Sequence, residues 1–236
     1  MVKSVSVIIP VYNEEESVRQ VYKQTTDVLS ALGLDYEIIF VNDGSQDMTG
    51  LILNGFQDQD CHVRIIKFAK NSGQLFALLA GFKAAISSVV VTLDGDLQND
   101  PGDIALLLAK VEEGFGFVTG WRYNRNDSFF RKTVSRLANL LISARTGVKL
   151  HDYGCALTAA KKEIIDELLT YGRNGRFIKP LMARLADSIL EIKVSHRQRV
   201  SGKSKYSFFK IAQSGMDFLI NFSVKPKNKL LYAIEK

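Results

Sequence analysis

Apolar residues occur along this chain in short bursts separated by longer stretches of helical spacing. Val5–Pro10 (VSVIIP), Tyr36–Val41 (YEIIFV), Val63–Phe68, Val89–Leu93 (VVVTL) and Gly116–Thr119 are the bursts, most of them rich in β-branched residues. That is the pattern of strands buried on both faces. Between them Glu14–Leu32 (closed by Gly33), Gly73–Ser87 and Asp103–Glu113 carry the periodicity of helices. Alternating strands and helices predict an α/β fold, with a mostly parallel sheet covered by helices on both faces. Ligands of such sheets bind beyond the carboxyl ends of the strands. The polar clusters Tyr12-Asn13-Glu14, Asn42-Asp43, Asp94–Gln98 and Gly120-Trp121-Arg122 all fall at such ends.

After Arg122 the pattern turns more helical. It predicts a basic helix over Phe129–Arg145, a short strand at Cys155–Thr158, and helices at Lys161–Leu169 and Phe177–Ala186. A strand at Ile189–His196 and an amphipathic C-terminal helix at Tyr206–Phe222 follow. No repeat or Pro/Gly-rich linker divides the chain. The expectation is one domain over residues 1–205 with an extension over 206–236.

A length of 236 residues suits one such domain. Cys61 and Cys155 form no CxxC pair, which argues against a structural zinc or a disulfide framework and fits a reducing compartment. The start, MVKSVSVIIPVYNEEE, has too short an apolar run for a secretory signal. No apolar stretch approaches the ~20 residues that cross a bilayer. Charge is unevenly spread: residues 1–120 carry 8 Lys/Arg against 16 Asp/Glu, and residues 121–236 carry 23 against 9. An acidic half suits a cation and a basic half attracts anions, although two differently biased solvated faces would have the same composition.

Asp94-Gly95-Asp96-Leu97-Gln98 follows the fourth strand directly. If the stretch stays extended, Asp94, Asp96 and Gln98 face one side. Their oxygens suit a hard divalent cation, Mg²⁺ or Mn²⁺, which shares its shell with phosphate oxygens and water. Alone, the triplet describes more readily a capped loop in which Asp100 or Asp103 opens the next helix. Its position beside other polar strand ends favours the metal.

VSVIIPVYNEEESV, EIIFVNDGSQD and LDGDLQ resemble the nucleotide-binding half of family-2 inverting glycosyltransferases with the GT-A fold. RNDSFFRKTVSRLANLL, HDYGCALTAAKKEIIDEL and RVSGKSKYSFFKI are similar to the branch that glycosylates polyprenyl phosphates. That branch includes dolichyl-phosphate mannosyltransferases and bacterial undecaprenyl-phosphate sugar transferases, with the aminoarabinose type nearest in pattern. The resemblance spans about residues 4–226. It implies a nucleotide half near 1–120 and an acceptor half near 121–205.

The resemblance also implies roles. Pro10, Tyr12, Glu14, Asp43 and Asp94 would surround the nucleotide, and Asp96 and Gln98 would hold the metal. Arg122, Arg131 and Ser135 would seat the acceptor phosphate, with Arg199 and Lys205 closing over it. Asp152 would lie near the reacting centre, making Asp96, Asp152 and Arg122 the candidate catalytic residues. Chemistry supports these roles without requiring them. Glu14 and Asp43 can accept hydrogen bonds from ribose or base, or serve as a helix-terminal charge and an Asx-type turn. Arg131 and Ser135 share a helix face that could bind an anion or merely be solvated. Gly202, between Arg199 and Lys205, suits a mobile loop or a plain turn. His62, His151 and His196 lack ligand spacing and read as incidental. Phe129, Phe130, Phe208 and Phe209 read as core or lipid contacts.

The implied partners are a nucleotide-sugar donor, with UDP favoured over GDP, a polyprenyl-phosphate acceptor and a membrane surface. A second copy of the chain or a membrane-anchoring partner is compatible with this reading. The implied location is the cytoplasmic face of a membrane, either peripheral or truncated from an anchored form, because SVKPKNKLLYAIEK turns charged. The 206–222 helix suits an interfacial helix or a core helix. A family-2 transferase with a soluble acceptor shares only the first half's motifs. A nucleic-acid binder would leave Asp94-Gly95-Asp96 unused, and no GxGxxG supports a dinucleotide-dependent oxidoreductase.

Overall fold

The structure is a computed structural model that describes residues 2–123, 129–171, 177–197, 222 and 231–234, without the side chains of 129–134, 136–137 and 231–234. The first half runs β1 (Ser4–Val11), α1 (Val18–Leu32), β2 (Asp35–Asn42), α2 (Thr49–Gln59), β3 (Val63–Lys67), α3 (Gln74–Ala84), β4 (Val89–Thr92) and α4 (Asp103–Glu112). The second runs β5 (Phe117–Arg122), α5 (Phe129–Thr146), β6 (Thr158–Lys161), α6 (Lys162–Thr170), α7 (Ile178–Leu185), β7 (Ser188–Val194) and β8 (Leu231–Ile234). The strands form one sheet in the order β3-β2-β1-β4-β6-β5-β7-β8. Among the described strands only β6 is antiparallel to its neighbours.

The β-branched bursts form the sheet centre because both faces are buried. Val5, Val7, Ile9 and Val11 of β1 pack with Val18, Val21 and Leu29 of α1, Phe56 of α2 and Leu107 of α4. Ile8 points the other way, into a layer with Phe82 of α3, Ile165 of α6 and Leu181 of α7. Each fully buried side chain of this size contributes roughly 1.5–3 kcal/mol. The two layers hold the sheet rigid beneath the loops at its carboxyl edge.

Several boundaries depart from expectation. Residues 14–17 form a turn, so α1 starts at Val18; its end at Gly33, with φ 63°, is the expected one. The helix α2 was not anticipated, nor was β8. The sixth strand lies at Thr158–Lys161, slightly later than the Cys155–Thr158 reading. The stretch 94–98 is not extended: it turns at Gly95–Asp96 and continues through Leu97, whose φ is 62°. The buried Leu97 side chain inserts into the first core layer, and this anchorage offsets an unfavourable backbone region. The expected 206–222 helix lies outside the described residues except for Phe222, which is buried against Phe177.

Candidate active site

The topology assigns the site. From β1 the chain builds toward β2 and β3, then crosses to β4 on the other side of β1. Such a reversal opens a crevice at the strands' carboxyl ends. Pro10 sits near the end of β1, while Tyr12 and Glu14 occupy the loop that follows. Asp43 follows β2, its N–H donating to the Val11 carbonyl at 2.9 Å. Asp94 and Asp96 follow β4.

These loops are tied together by side chains from distant parts of the chain. Ser17 Oγ lies 2.9 Å from Glu14 Oε2 and 2.8 Å from the Gly95 carbonyl oxygen, which joins the β1 loop to the acidic loop. A Cβ on Gly95 would come within 2.7 Å of Val11 Cγ1, so the acidic loop can approach β1 only with glycine there. Asp43 receives the N–H of Ser72 at 2.7 Å and of Gly73 at 2.8 Å, one on each oxygen, and so holds the entrance to α3. The Asx-type turn considered for Asp43 is made instead by Asn42, whose Oδ1 accepts the Ser45 N–H at 2.9 Å. Gln74, at the start of α3, donates Nε2 to Asp94 Oδ1 at 2.7 Å. Asp96 is nearly buried and accepts the Gln98 N–H at 3.0 Å. The backbone turn therefore replaces the expected alternation of Asp94, Asp96 and Gln98 on one side.

The reversed strand β6 brings in the second group. Because β6 is antiparallel, the loop before it, residues 151–157, lies at the same edge as the ends of β4 and β5. There Asp152, 2% exposed, grips Arg122 at the end of β5. Oδ2 accepts Nε at 2.7 Å and the Arg122 backbone N–H at 3.3 Å, while Oδ1 accepts Nη2 at 2.9 Å and the Gly154 N–H at 3.0 Å. Burial works against the Arg122 charge, but the hydrogen bonds and field of Asp152 outweigh it and hold the guanidinium above its ordinary pKa. The Asp94 carboxylate adds to this effect across the crevice. The acidic loop and the Arg122–Asp152 pair thus share the carboxyl edge of the sheet, near enough for the Asp94 charge to act on Arg122. Asn99, just beyond the acidic loop, reaches Cys155 Sγ at 3.6 Å and closes the gap between them.

The family model for glycosyl transferase family 2 matches residues 6–169. The chain belongs to that family. Among solved structures it is similar to the glucosyl-3-phosphoglycerate synthase of Mycobacterium tuberculosis bound to phosphoglyceric acid. That match has a TM-score of 0.61 and 17% identity over 92% of this chain and 78% of the other. The complex of the same synthase with Mn²⁺, uridine diphosphate and phosphoglyceric acid gives 0.61 and 19% over 92% and 76%. Its complex with Mn²⁺ and uridine-diphosphate-glucose gives 0.59 and 18% over 92% and 77%. At these identities the likeness is one of fold.

Within this family-2 transferase, Ser135 is partly buried on α5. Arg131 belongs to the same helix, but its side chain lies outside the described residues, as do Arg199 and Lys205 entirely. His151 serves as a packing residue: its Nδ1 is 2.8 Å from Glu191 Oε2 and its ring stacks on Trp121 at 4.1 Å between centroids. His62 stacks on Tyr36 and pairs with Asp60, far from this edge. Sequence reasoning also passed over Ser17, Gln74, Asn99, Lys179 and Glu191. Each has a partner distant along the chain, and Ser17 also has a local one, Glu14.

Proposed function

We propose that this transferase moves a sugar from a nucleoside-diphosphate donor, a UDP-sugar by preference, onto polyprenyl phosphate with inversion at the anomeric carbon. The observation that carries the reading is that the Asp94–Asp96 loop and Arg122 stand at one edge of the sheet, with Asp152 fixing the arginine. A carboxylate-lined side suits the donor's metal-bound diphosphate, and an arginine side suits a second anion.

The acidic loop fits Mg²⁺ or Mn²⁺: Asp94 and Asp96 are hard oxygen donors at the strand end, and Gln98 lies in the same turn. When bound there, such an ion would neutralise the charge that develops on the departing nucleoside diphosphate. The rest of the chemistry belongs to the side chains. A phosphate monoester, with its second pKa near ~6, is mostly a dianion at neutral pH and needs no strong base to attack. It needs alignment and shielding from the donor's charge, which Arg122 supplies, with Arg131, Arg199 and Lys205 as further candidates. A phosphate oxygen forms a bond to the anomeric carbon as the carbon–oxygen bond to the diphosphate breaks, its electron pair leaving with the nucleotide. Pro10, Tyr12, Glu14 and Asp43 would cradle base and ribose. Asp152 acts on Arg122 in this scheme and does not abstract a proton.

A second reading has its own support, since the similar synthase was solved with phosphoglyceric acid, a soluble phosphorylated acceptor. Among the described residues no helix is long and apolar enough to cross a membrane. We propose peripheral attachment at the cytoplasmic face. The deciding experiment incubates the protein with Mg²⁺ or Mn²⁺, a panel of nucleotide sugars, and either undecaprenyl phosphate or 3-phosphoglycerate, followed by mass spectrometry. A glycosylated lipid phosphate is expected. Product from 3-phosphoglycerate alone would overturn the lipid reading in favour of the soluble one. Asp96→Ala should abolish transfer with the fold retained, and near-normal turnover in metal-containing buffer would remove the metal from the scheme.

A further inference from the structure

Behind the Arg122–Asp152 pair lie two buried charged residues that the mechanism above does not use. Glu191, on β7, is fully buried, and Lys179, on α7, is 8% exposed. Glu191 Oε1 accepts the Asp152 N–H at 2.9 Å, and Oε2 accepts the His151 N–H at 2.9 Å. Lys179 Nζ donates to the Asp152 carbonyl at 2.8 Å and to the Cys155 carbonyl at 2.9 Å. Asp152 is therefore held through its backbone N–H by an anion and through its backbone carbonyl by a cation, while its own carboxylate holds Arg122. Arg122 and Lys179 are thus set against Asp152 and Glu191; burial pushes the Lys179 pKa down, and the fields of Cys155, Asp152 and Glu191 act to keep its charge.

Burying four charges is costly, and a buried ion network is often replaceable by apolar residues at no loss of stability. Stability is therefore a weak explanation for this one, whereas geometry is a direct one. Both clamps converge on a single loop residue, and the carboxylate of that residue holds Arg122 at the end of β5. We propose that Glu191 and Lys179 are positioning residues for the transfer reaction. They set the 151–155 loop so that Asp152 presents Arg122 to the incoming acceptor phosphate. Small displacements of such a group matter, since misplacement by about 1 Å can cost ~10²-fold in rate.

This inference rests on the reading of Arg122 as the acceptor-side cation. The test compares wild type, Glu191→Gln, Lys179→Met and the double variant, using whichever phosphorylated acceptor the wild type accepts. An error in the acceptor reading then appears in wild type, and an error in this inference appears only in the variants. Each single variant leaves an unbalanced buried charge and should melt at a lower temperature. The double variant restores balance and should melt near wild type. Its kcat should nevertheless stay roughly ten- to a hundredfold down, with KM for the nucleotide sugar unchanged. Recovery of kcat together with the melting temperature would overturn the proposal, because the two residues would then act on stability alone. A parallel loss of donor affinity and kcat in a well-folded double variant would overturn it equally.

Discussion

Replacing Asp152 by Asn keeps the shape of the side chain and removes half of its accepting capacity. Among the described residues the carboxylate receives four donors: Arg122 Nε at 2.7 Å and the Arg122 backbone N–H at 3.3 Å on one oxygen, Nη2 at 2.9 Å and the Gly154 N–H at 3.0 Å on the other. An amide has one oxygen, so in either orientation its NH₂ faces two of those donors. One lost bond comes from the guanidinium and contributes about 1.5–3 kcal/mol; the other comes from the backbone and contributes about 0.5–1.5 kcal/mol. Their sum, about 2–4.5 kcal/mol, agrees with the ~3–5 kcal/mol typical of breaking a buried ion pair. The pair qualifies as buried, with Arg122 and Asp152 side chains 14% and 3% exposed. Against a total stability of about 5–15 kcal/mol the variant should still fold. Trp121 is the chain's single tryptophan and stacks on His151 beside this pair, so its fluorescence reports the loop during urea unfolding. With m near 1–3 kcal/mol/M, the midpoint should fall by roughly 0.7–4.5 M. A shift below about 0.3 M would refute the argument that Asp152 is committed to Arg122, as would unchanged kcat/KM.

Asp43→Asn should cost about 1.5–3 kcal/mol in the same urea assay and weaken nucleotide binding by calorimetry, because its NH₂ must oppose the Ser72 or Gly73 N–H. Gly44→Ala should be more damaging: φ is +70° and the added Cβ would sit 2.4 Å from the Lys70 carbonyl carbon, so soluble yield and melting temperature should both drop sharply. Aromatic disulfide reagents should modify exposed Cys61 quickly and buried Cys155 only on unfolding, and equal rates for the two thiols in native buffer would contradict the packing at Asn99.

The central strands were legible because burial on both faces leaves a continuous apolar signature, as in VSVIIP and YEIIFV. The clusters at their carboxyl ends were legible for the same reason: a polar residue directly after such a run stands out. By contrast, α2 carries an internal Gly55 and buries only Thr49, Ile52, Leu53 and Phe56, too sparse a stripe to signal a helix. Leu97 misled the reading of the acidic loop. An apolar residue with positive φ is stabilised by the core it enters, and nothing local in the sequence encodes that core. Glu191 and Lys179 were invisible for a related reason. Each looks like a polar position on an amphipathic element until the fold brings the 151–155 loop against it.

The backward course of β6 has an evolutionary corollary. It adjoins β5, so the excursion over residues 123–157 leaves and re-enters the sheet between neighbouring strands on a single rim. Length changes in that excursion ahead of Val148, where its described buried core residues begin, would leave the register of every strand unchanged. On the proposed function, such changes would alter what receives the sugar and leave the donor side in place.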